Sequence, residues 1–366
     1  MRCRFLSSAF VLLSVALGVV QLPEARAEEK PFEVRVVVVT TFEAGKDTGD
    51  KAGELQNWVE KYPCNEPVSF PLGVHQLYLN RADHVLCLTT GMGKTRTAAS
   101  VVALGSDPRF DLTKAYWMMA GIAGVDPHAA PIGSAVWARY VVDGDLAYEI
   151  DGRELPAEWP TGILPNNRSL PYAMPVPDYR AKDGGGYHSP MSYRLNPALV
   201  EWAYDLTRKI ALPDNERMKA ARTLYKGLPE AQKPPYVLEG DTLSADRFWL
   251  GSKMTAWAGK WLSYWTEGQG RFVTTAEEDS ALLQAVTLLA QDRRADLDRV
   301  LVLRTASNFS MPPEGTSAAE FIAIENSGHY SAFDQAVDNA YRVGEPVVRE
   351  LAGHWERYGT HLPTAK

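Results

Sequence analysis

The sequence predicts an α/β fold, and three observations carry that prediction. Near-continuous apolar, largely β-branched runs stand at residues 34–41 (VRVVVVTT), 85–90, 114–120 (KAYWMMA) and 300–303 (VLVL), the pattern of strands buried on both faces of a parallel sheet. Segments of helical period lie between them. Glycine turns or abrupt polar stretches follow the strands, at the carboxyl ends where open α/β sheets collect ligands.

The chain begins with Arg2 and Arg4, an apolar run at 5–20 and Ala25-Arg26-Ala27, which together describe a secretory signal peptide (residues 1–27) cut after Ala27, with a retained N-terminal anchor as the other reading. At 16 residues the run is short for a membrane span. Cleavage leaves 366 minus 27, or 339 residues (28–366), enough for one large α/β domain or two smaller ones. No later stretch is long and apolar enough to cross a bilayer, so the mature chain reads as soluble and as periplasmic or secreted. A net charge of −7 without a basic run argues against nucleic acid as a partner. Once Cys3 leaves with the signal, Cys64 and Cys87 remain; an exported compartment permits a disulfide between them, and two isolated burials are the alternative. The seven histidines form no H-x-x-x-H or H-E-x-x-H pattern, and neither metal nor cofactor is expected.

In order, the strand at 34–41 ends at Phe42-Glu43, and residues 53–62 read as a helix with Leu55, Trp58 and Val59 on one side. The strand at 85–90 and a helix through Val101 and Leu104 complete a βαβ-like unit. Between them lies TTGMGKTRTAA (residues 89–99). There Gly91 and Gly93 let a ligand approach the main chain, and the helix starting near Lys94 offers unpaired N–H groups. Gly93-Lys94-Thr95 imitates the end of a P-loop, but that motif needs a glycine where Leu88 stands. A purely structural glycine turn is the other reading.

The strand at 114–120 runs into a second glycine turn, Gly121-Ile122-Ala123-Gly124, so the two turns line one crevice. Residues 132–142 and 146–150 read as paired strands across Asp143-Gly144-Asp145. From about 152 to 192 the periodicity fails in a Gly/Pro-rich insertion, read as a lid or an oligomer contact. Helices fit 197–209 and 214–222, and a strand fits 236–240. Met254, Trp257, Ala258, Trp261, Leu262 and Trp265 recur at helical spacing, as core or as a subunit interface. In the helix at 276–290, Glu278 continues the apolar stripe of Leu282, Ala285, Val286 and Leu289, whereas Glu277 aligns with Gln284. The strand at 300–303 turns polar at Arg304-Thr305-Ala306-Ser307-Asn308, and helices at 330–343 and 345–358 close the chain.

These pieces, in this order, resemble the nucleoside phosphorylase/nucleosidase superfamily. TTGMGKTRTAAS resembles its S-G-x-G-K-x-x-A-A segment, MAGIAG its central glycine turn, EDSAL (278–282) its M-E-x-x-A helix start, and VLRTASN (302–308) the strand ending in R-x-x-S-D or an asparagine variant. VTTGMGKTRTAAS, FDLTKAYWMMAGIAGVDP, TTAEEDSAL and LRTASNFSMP more closely resemble the purine nucleoside permease family, over most of residues 33–345. The resemblance implies a single three-layer α/β domain with a mixed, mostly parallel central sheet flanked by helices, nucleoside phosphorylase-like. It implies a purine nucleoside as ligand. Glu278 would bind the ribose 2′- and 3′-hydroxyls as a bidentate acceptor, and Asn308, beside Ser307, would face N7 and the 6-substituent of the purine. Glu43 would orient an attacking water, while Thr90, Gly91, Met92, Gly93, Ala120 and Gly121 would line sugar and base.

Two departures bear on the chemistry. Phosphorylases of this kind carry an arginine and a serine at the positions of Met119 and Ile122, and a G-D-P-x-R loop where this chain has FEAGKD. A phosphate dianion without its guanidinium is costly to desolvate, which favours hydrolysis over phosphorolysis. Nucleosidases of this kind usually carry an aspartate where Asn308 stands, and losing a general acid removes ~10²–10⁴-fold in rate. Two function classes therefore remain: a purine nucleosidase, or a non-catalytic binding protein that serves uptake through a separate transporter. Relatives of the fold imply a homo-oligomer.

Overall fold

The computed structural model describes residues 30–177, 190–327 and 330–365. The expected signal peptide and the Gly184-Gly185-Gly186 run lie outside them. Along the chain come β1 (Val36–Thr40), α1 (Gln56–Lys61), β2 (Glu66–Val68), β3 (Leu77–Asn80), β4 (Val85–Thr89), α2 (Lys94–Gly105), β5 (Tyr116–Val125) and β6 (Ala135–Asp143). They are followed by β7 (Ser192–Arg194), α3 (Pro197–Thr207), β8 (Val237–Ser244), α4 (Ser252–Trp265), β9 (Phe272–Ala276), α5 (Asp279–Gln291), β10 (Val300–Phe309), α6 (Ala318–Ser327) and α7 (Phe333–Gly353).

These ten strands form one mixed sheet in the order β7-β6-β8-β9-β5-β1-β4-β3-β2, with β10 bridging β5 and β6. Parallel pairing runs through its centre, where β1 joins β4 and β5, and β5 joins β10. Antiparallel pairs finish the β2 edge and join β9 to β5 and β10 to β6. The strands β6, β8, β9, β5 and β10 therefore close on themselves. Helices flank the sheet: α2 packs on α5, and α7 lies along β10 and β5 beside α1 and α3. Val36 to Val39, Val85 to Leu88 and Val300 to Leu303 are all fully buried, as continuous apolar runs require. Cys64 and Cys87 are buried, free thiols; burial first, then the neighbouring Cys64 thiol, pushes that of Cys87 up.

Four sequence expectations are corrected. Gly121 to Gly124 do not end a strand: β5 runs through them to Val125. Arg304 to Asn308 likewise lie inside β10, all buried. Residues 147–149 do not pair back with β6 but with Ile163–Pro165, inside the expected insertion. The last two helices are largely one, α7, with Pro346 inside it and a short Trp355–Tyr358 turn after it. The buried face through Val337, Ala340, Val347, Val348 and Leu351 outweighs the ~3 kcal/mol cost of an internal proline. The Trp stripe of α4 is core: Trp257, Trp261 and Leu262 are buried, and Trp257 packs 5.7 Å from Trp261.

Candidate functional site

At the carboxyl ends of β1 and β10 and along the last turns of β5 and β9 lies a cavity of about 220 Å³. Its floor is charged. Arg304, 1% exposed, enters from β10, and a cation can interrupt an apolar strand there because each of its three guanidinium nitrogens has an acceptor. Nε donates to Asp279 Oδ1 at 2.8 Å, Nη2 to Glu278 Oε2 at 2.8 Å, and Nη1 to the Ile122 carbonyl at 3.1 Å. Burial, opposed by Arg304 and by the Gly93 N–H, pushes the Glu278 carboxyl above its usual range.

Glu278 sits at the start of α5, and its Oε1 accepts from Gly93 N at 3.1 Å. A carboxylate has about four acceptor positions. Two are filled by Gly93 and Arg304, which leaves two on a residue that lines the cavity. The neighbouring N–H, that of Lys94, donates to Asp246 Oδ1 at 2.5 Å. The open N-terminus of α2 thus already holds two carboxylates of the protein itself. Lys94 bridges Asp143 at 2.5 Å and Asp145 at 2.9 Å, which ties β6 to α2.

A second buried acid completes the floor. Glu54 Oε2 accepts from Thr41 N at 2.7 Å and Thr41 Oγ1 at 2.9 Å, while Oε1 accepts from Ile122 N at 2.7 Å. Burial, partly offset by Arg304 and reinforced by Glu278, pushes Glu54 up to about 7. Gly121 makes room for this pair: a Cβ there would lie 2.5 Å from Glu54 Oε1 and 2.6 Å from Arg304 Nη1. Glu277, half-buried on the same wall, is also pushed up to about 7, chiefly by burial and then by Glu278.

Another part of the lining is an aromatic wall. Phe248 stacks on Tyr330 with ring centres 5.6 Å apart and planes at 12°, Phe42 lies 5.9 Å from Phe333, and Trp249 lies 6.0 Å from Trp257. Between wall and floor, Asn308 is buried opposite Gly124 in the β10–β5 register, with its Nδ2 donating to the Phe309 carbonyl at 3.1 Å. Ser307 Oγ donates to Asn308 Oδ1 at 2.8 Å.

Of the residues expected from sequence, Met92, Glu278, Ser307 and Asn308 line the cavity. Gly91 and Gly93 form the turn behind it, both at positive φ, and Thr90 is tied to Thr97 by hydroxyls 2.9 Å apart. Ala120 is buried within β5, and Gly121 stands under Glu54 and Arg304. Glu43 does not line the cavity. Its carboxylate accepts from the N–H groups of Ala44, Gly53, Leu55 and Gln56, so it pins the loop and the first turn of α1. Sequence reading missed Glu54, Glu277 and the aromatic wall. Glu54 carried no local signal, because it follows a loop that already holds Glu43, Asp47 and Asp50; Glu277 was hidden by helical projection, because α5 begins only after it.

A family profile described as purine nucleoside permease matches residues 33–363. A probable purine nucleoside permease of Schizosaccharomyces pombe is 31% identical over 285 residues, 76% of this chain and 79% of that one. A purine nucleoside permease of Candida albicans is 27% identical over 339 residues, 90% of this chain and 78% of that one. Among solved structures, the 5′-methylthioadenosine/S-adenosylhomocysteine nucleosidase of Neisseria meningitidis aligns at 15% identity and a TM-score of 0.49, over 86% of this chain and 99% of that one. Futalosine hydrolase of Helicobacter pylori aligns at 11% identity and 0.47, over 87% and 98%.

Proposed function

The chain belongs to the purine nucleoside permease family, and we propose that its cavity binds a purine nucleoside and cleaves the N-glycosidic bond by hydrolysis. One observation carries this reading: a single hollow joins a buried carboxylate with two open acceptor positions to an aromatic wall, the two complements of a ribose diol and a purine face. Glu278 takes the 2′- and 3′-hydroxyls. Phe248, Tyr330 and Trp249 cover the base, and the remaining N–H of Asn308 meets its N7 edge.

Glu54 takes the role expected of Glu43. Its Oε1 has one acceptor position left beyond the Ile122 N–H, enough to hold a water and take its proton as the oxygen bonds to C1′. The C1′–N9 electron pair leaves with the purine, which Asn308 holds by hydrogen bonding and which draws its proton from water. Carboxylates on the floor stabilise the electron-poor ribosyl cation of such a transition state.

Phosphate is disfavoured as the nucleophile. The cations on the cavity lining among the described residues are Arg304 and Arg247, the first committed to two carboxylates and the second paired with Asp145 and Glu149. The α2 N-terminus is filled by Glu278 and Asp246, so a dianion arriving there meets negative charge.

A second reading rests on Asn308, which cannot donate a proton as an acid does: the chain binds nucleosides for uptake without turnover. No described helix is long and apolar enough to cross a membrane, so that reading needs a separate transporter. Incubating residues 28–366 with inosine and adenosine, with and without phosphate, separates the two. Free base released independently of phosphate supports hydrolysis; calorimetric binding without product supports uptake; unchanged affinity in Glu278→Gln removes the ribose contact. The proposal also includes export, with cleavage after Ala27 and a periplasmic or secreted product, which N-terminal sequencing of the exported protein tests.

A further inference from the structure

The carboxyls on the cavity floor differ in how fully the protein satisfies them. Glu54 accepts from three donors, Glu278 from Gly93 and Arg304, and Asp279, just behind the lining, from Arg304 and Thr242. Glu277, which also lines the cavity, has no side-chain hydrogen bond or ion pair among the described residues. The charged groups that act on it are Glu278, Arg304, Asp246 and Asp145, and it in turn acts on the Tyr330 phenol. A half-buried carboxyl without a partner is costly unless a ligand supplies the donor.

Which donor follows from the arrangement, on the reading proposed above. Glu278 has two open acceptor positions, and the vicinal 2′- and 3′-hydroxyls fill both. A nucleoside sugar then has one hydroxyl left, the 5′. Glu277 is the residue next to Glu278, before the first turn of α5, and its charged neighbours Asp246 and Asp145 belong to the glycine-turn side of the cavity, with Asp246 held by Lys94 N. We propose that Glu277 is a specificity residue that accepts a hydrogen bond from a free 5′-hydroxyl, so that the site selects unmodified nucleosides over those in which the 5′-hydroxyl is missing or replaced by a thioether.

The test is calorimetric affinity of wild type, Glu277→Ala and Glu277→Gln for inosine, 5′-deoxyinosine and 2′-deoxyinosine. A hydrogen bond to a charged group gives wild type a preference of about 10–100-fold for inosine over 5′-deoxyinosine. Glu277→Ala brings that ratio to within about threefold without weakening 5′-deoxyinosine, Glu277→Gln retains an intermediate preference, and both leave the inosine to 2′-deoxyinosine ratio unchanged, which a general distortion of the site would not do. Equal affinity of wild type for inosine and 5′-deoxyinosine, or an undiminished preference in Glu277→Ala, overturns the assignment while the nucleoside site stands. Wild type that binds none of the three overturns the nucleoside reading as well.

Discussion

Glu43 and Glu54 stand at the two ends of one loop and meet opposite fates. Four backbone N–H groups converge on the Glu43 carboxylate, so its charge is satisfied with no ligand present, and it serves to fix the loop against α1. Glu54 is held by three donors on the cavity floor, buried beside Arg304 and Glu278, and it keeps one acceptor position. What separates the two acids is therefore not their distance from a strand end but the number of donors the fold aims at each and the number it leaves over.

The largest effect comes from the cation that both Glu54 and Glu278 depend on. Arg304→Met leaves Glu54, Glu278 and Asp279 buried without their counter-charge, and removing one partner of a buried ion pair costs about 3–5 kcal/mol. Urea denaturation checks this; a midpoint unchanged from wild type would mean the acids are neutral or solvated and would erase the contrast with Glu43. Next comes Glu54→Gln. Turnover falls ~10²–10⁴-fold as the water loses its base, while stability changes by less than about 2 kcal/mol, because the lost bond from Ile122 N is offset by removal of a desolvated charge. Steady-state base release together with a melting curve measures both.

Glu43→Gln behaves in the opposite sense and more weakly. An amide offers one acceptor oxygen where four N–H groups converge, so the loop and the start of α1 lose about 1–2 kcal/mol, as a lost helix cap does. Turnover stays within severalfold of wild type. A drop in turnover comparable with that of Glu54→Gln, at undiminished stability, would return the catalytic role to Glu43.

The same contrast explains what the sequence made legible. The strand at Val85–Thr89 and the helix Ser252–Trp265 follow from periodicity, because continuous apolar runs and helical spacing of tryptophans reflect burial directly. Glu278 was legible because it continued an apolar stripe to the start of α5. Gly121 and Gly124 misled, since glycine marks either a turn or a close approach. Here Glu54 and Arg304 press on the first, and Thr275 lies 3.1 Å from where a Cβ of the second would stand. Arg304 continuing VLVL was a buried charge in search of partners, and those partners, Glu278 and Asp279, lie on another element. Glu54 was masked by the helix that follows it. Donor counts come from tertiary approach, so local pattern ranks Glu43 and Glu54 alike and only the folded chain separates them.

The shallowest effect is pH dependence, and its sign separates Glu54 from an ordinary surface acid. Glu54 and Glu277 are both pushed from 4.5 up to about 7 by burial, against the pull of Arg304 and with the push of Glu278; Asp246 and Asp145 add to Glu277. Between about pH 4.5 and 7 the native state then binds more protons than the unfolded chain, so stability is fully present below the lower value and is lost as pH rises through the upper one. Glu277 is partly exposed, and its share is correspondingly smaller. Turnover must move the other way across the same interval, because Glu54 accepts a proton only once it has lost its own. Melting temperature falling and kcat rising between pH 5 and 8, with both slopes flattened in Glu54→Gln, is the expected pair of curves. If melting temperature and kcat climb together, Glu54 enters the folded state already ionised, and its difference from Glu43 reduces to position alone.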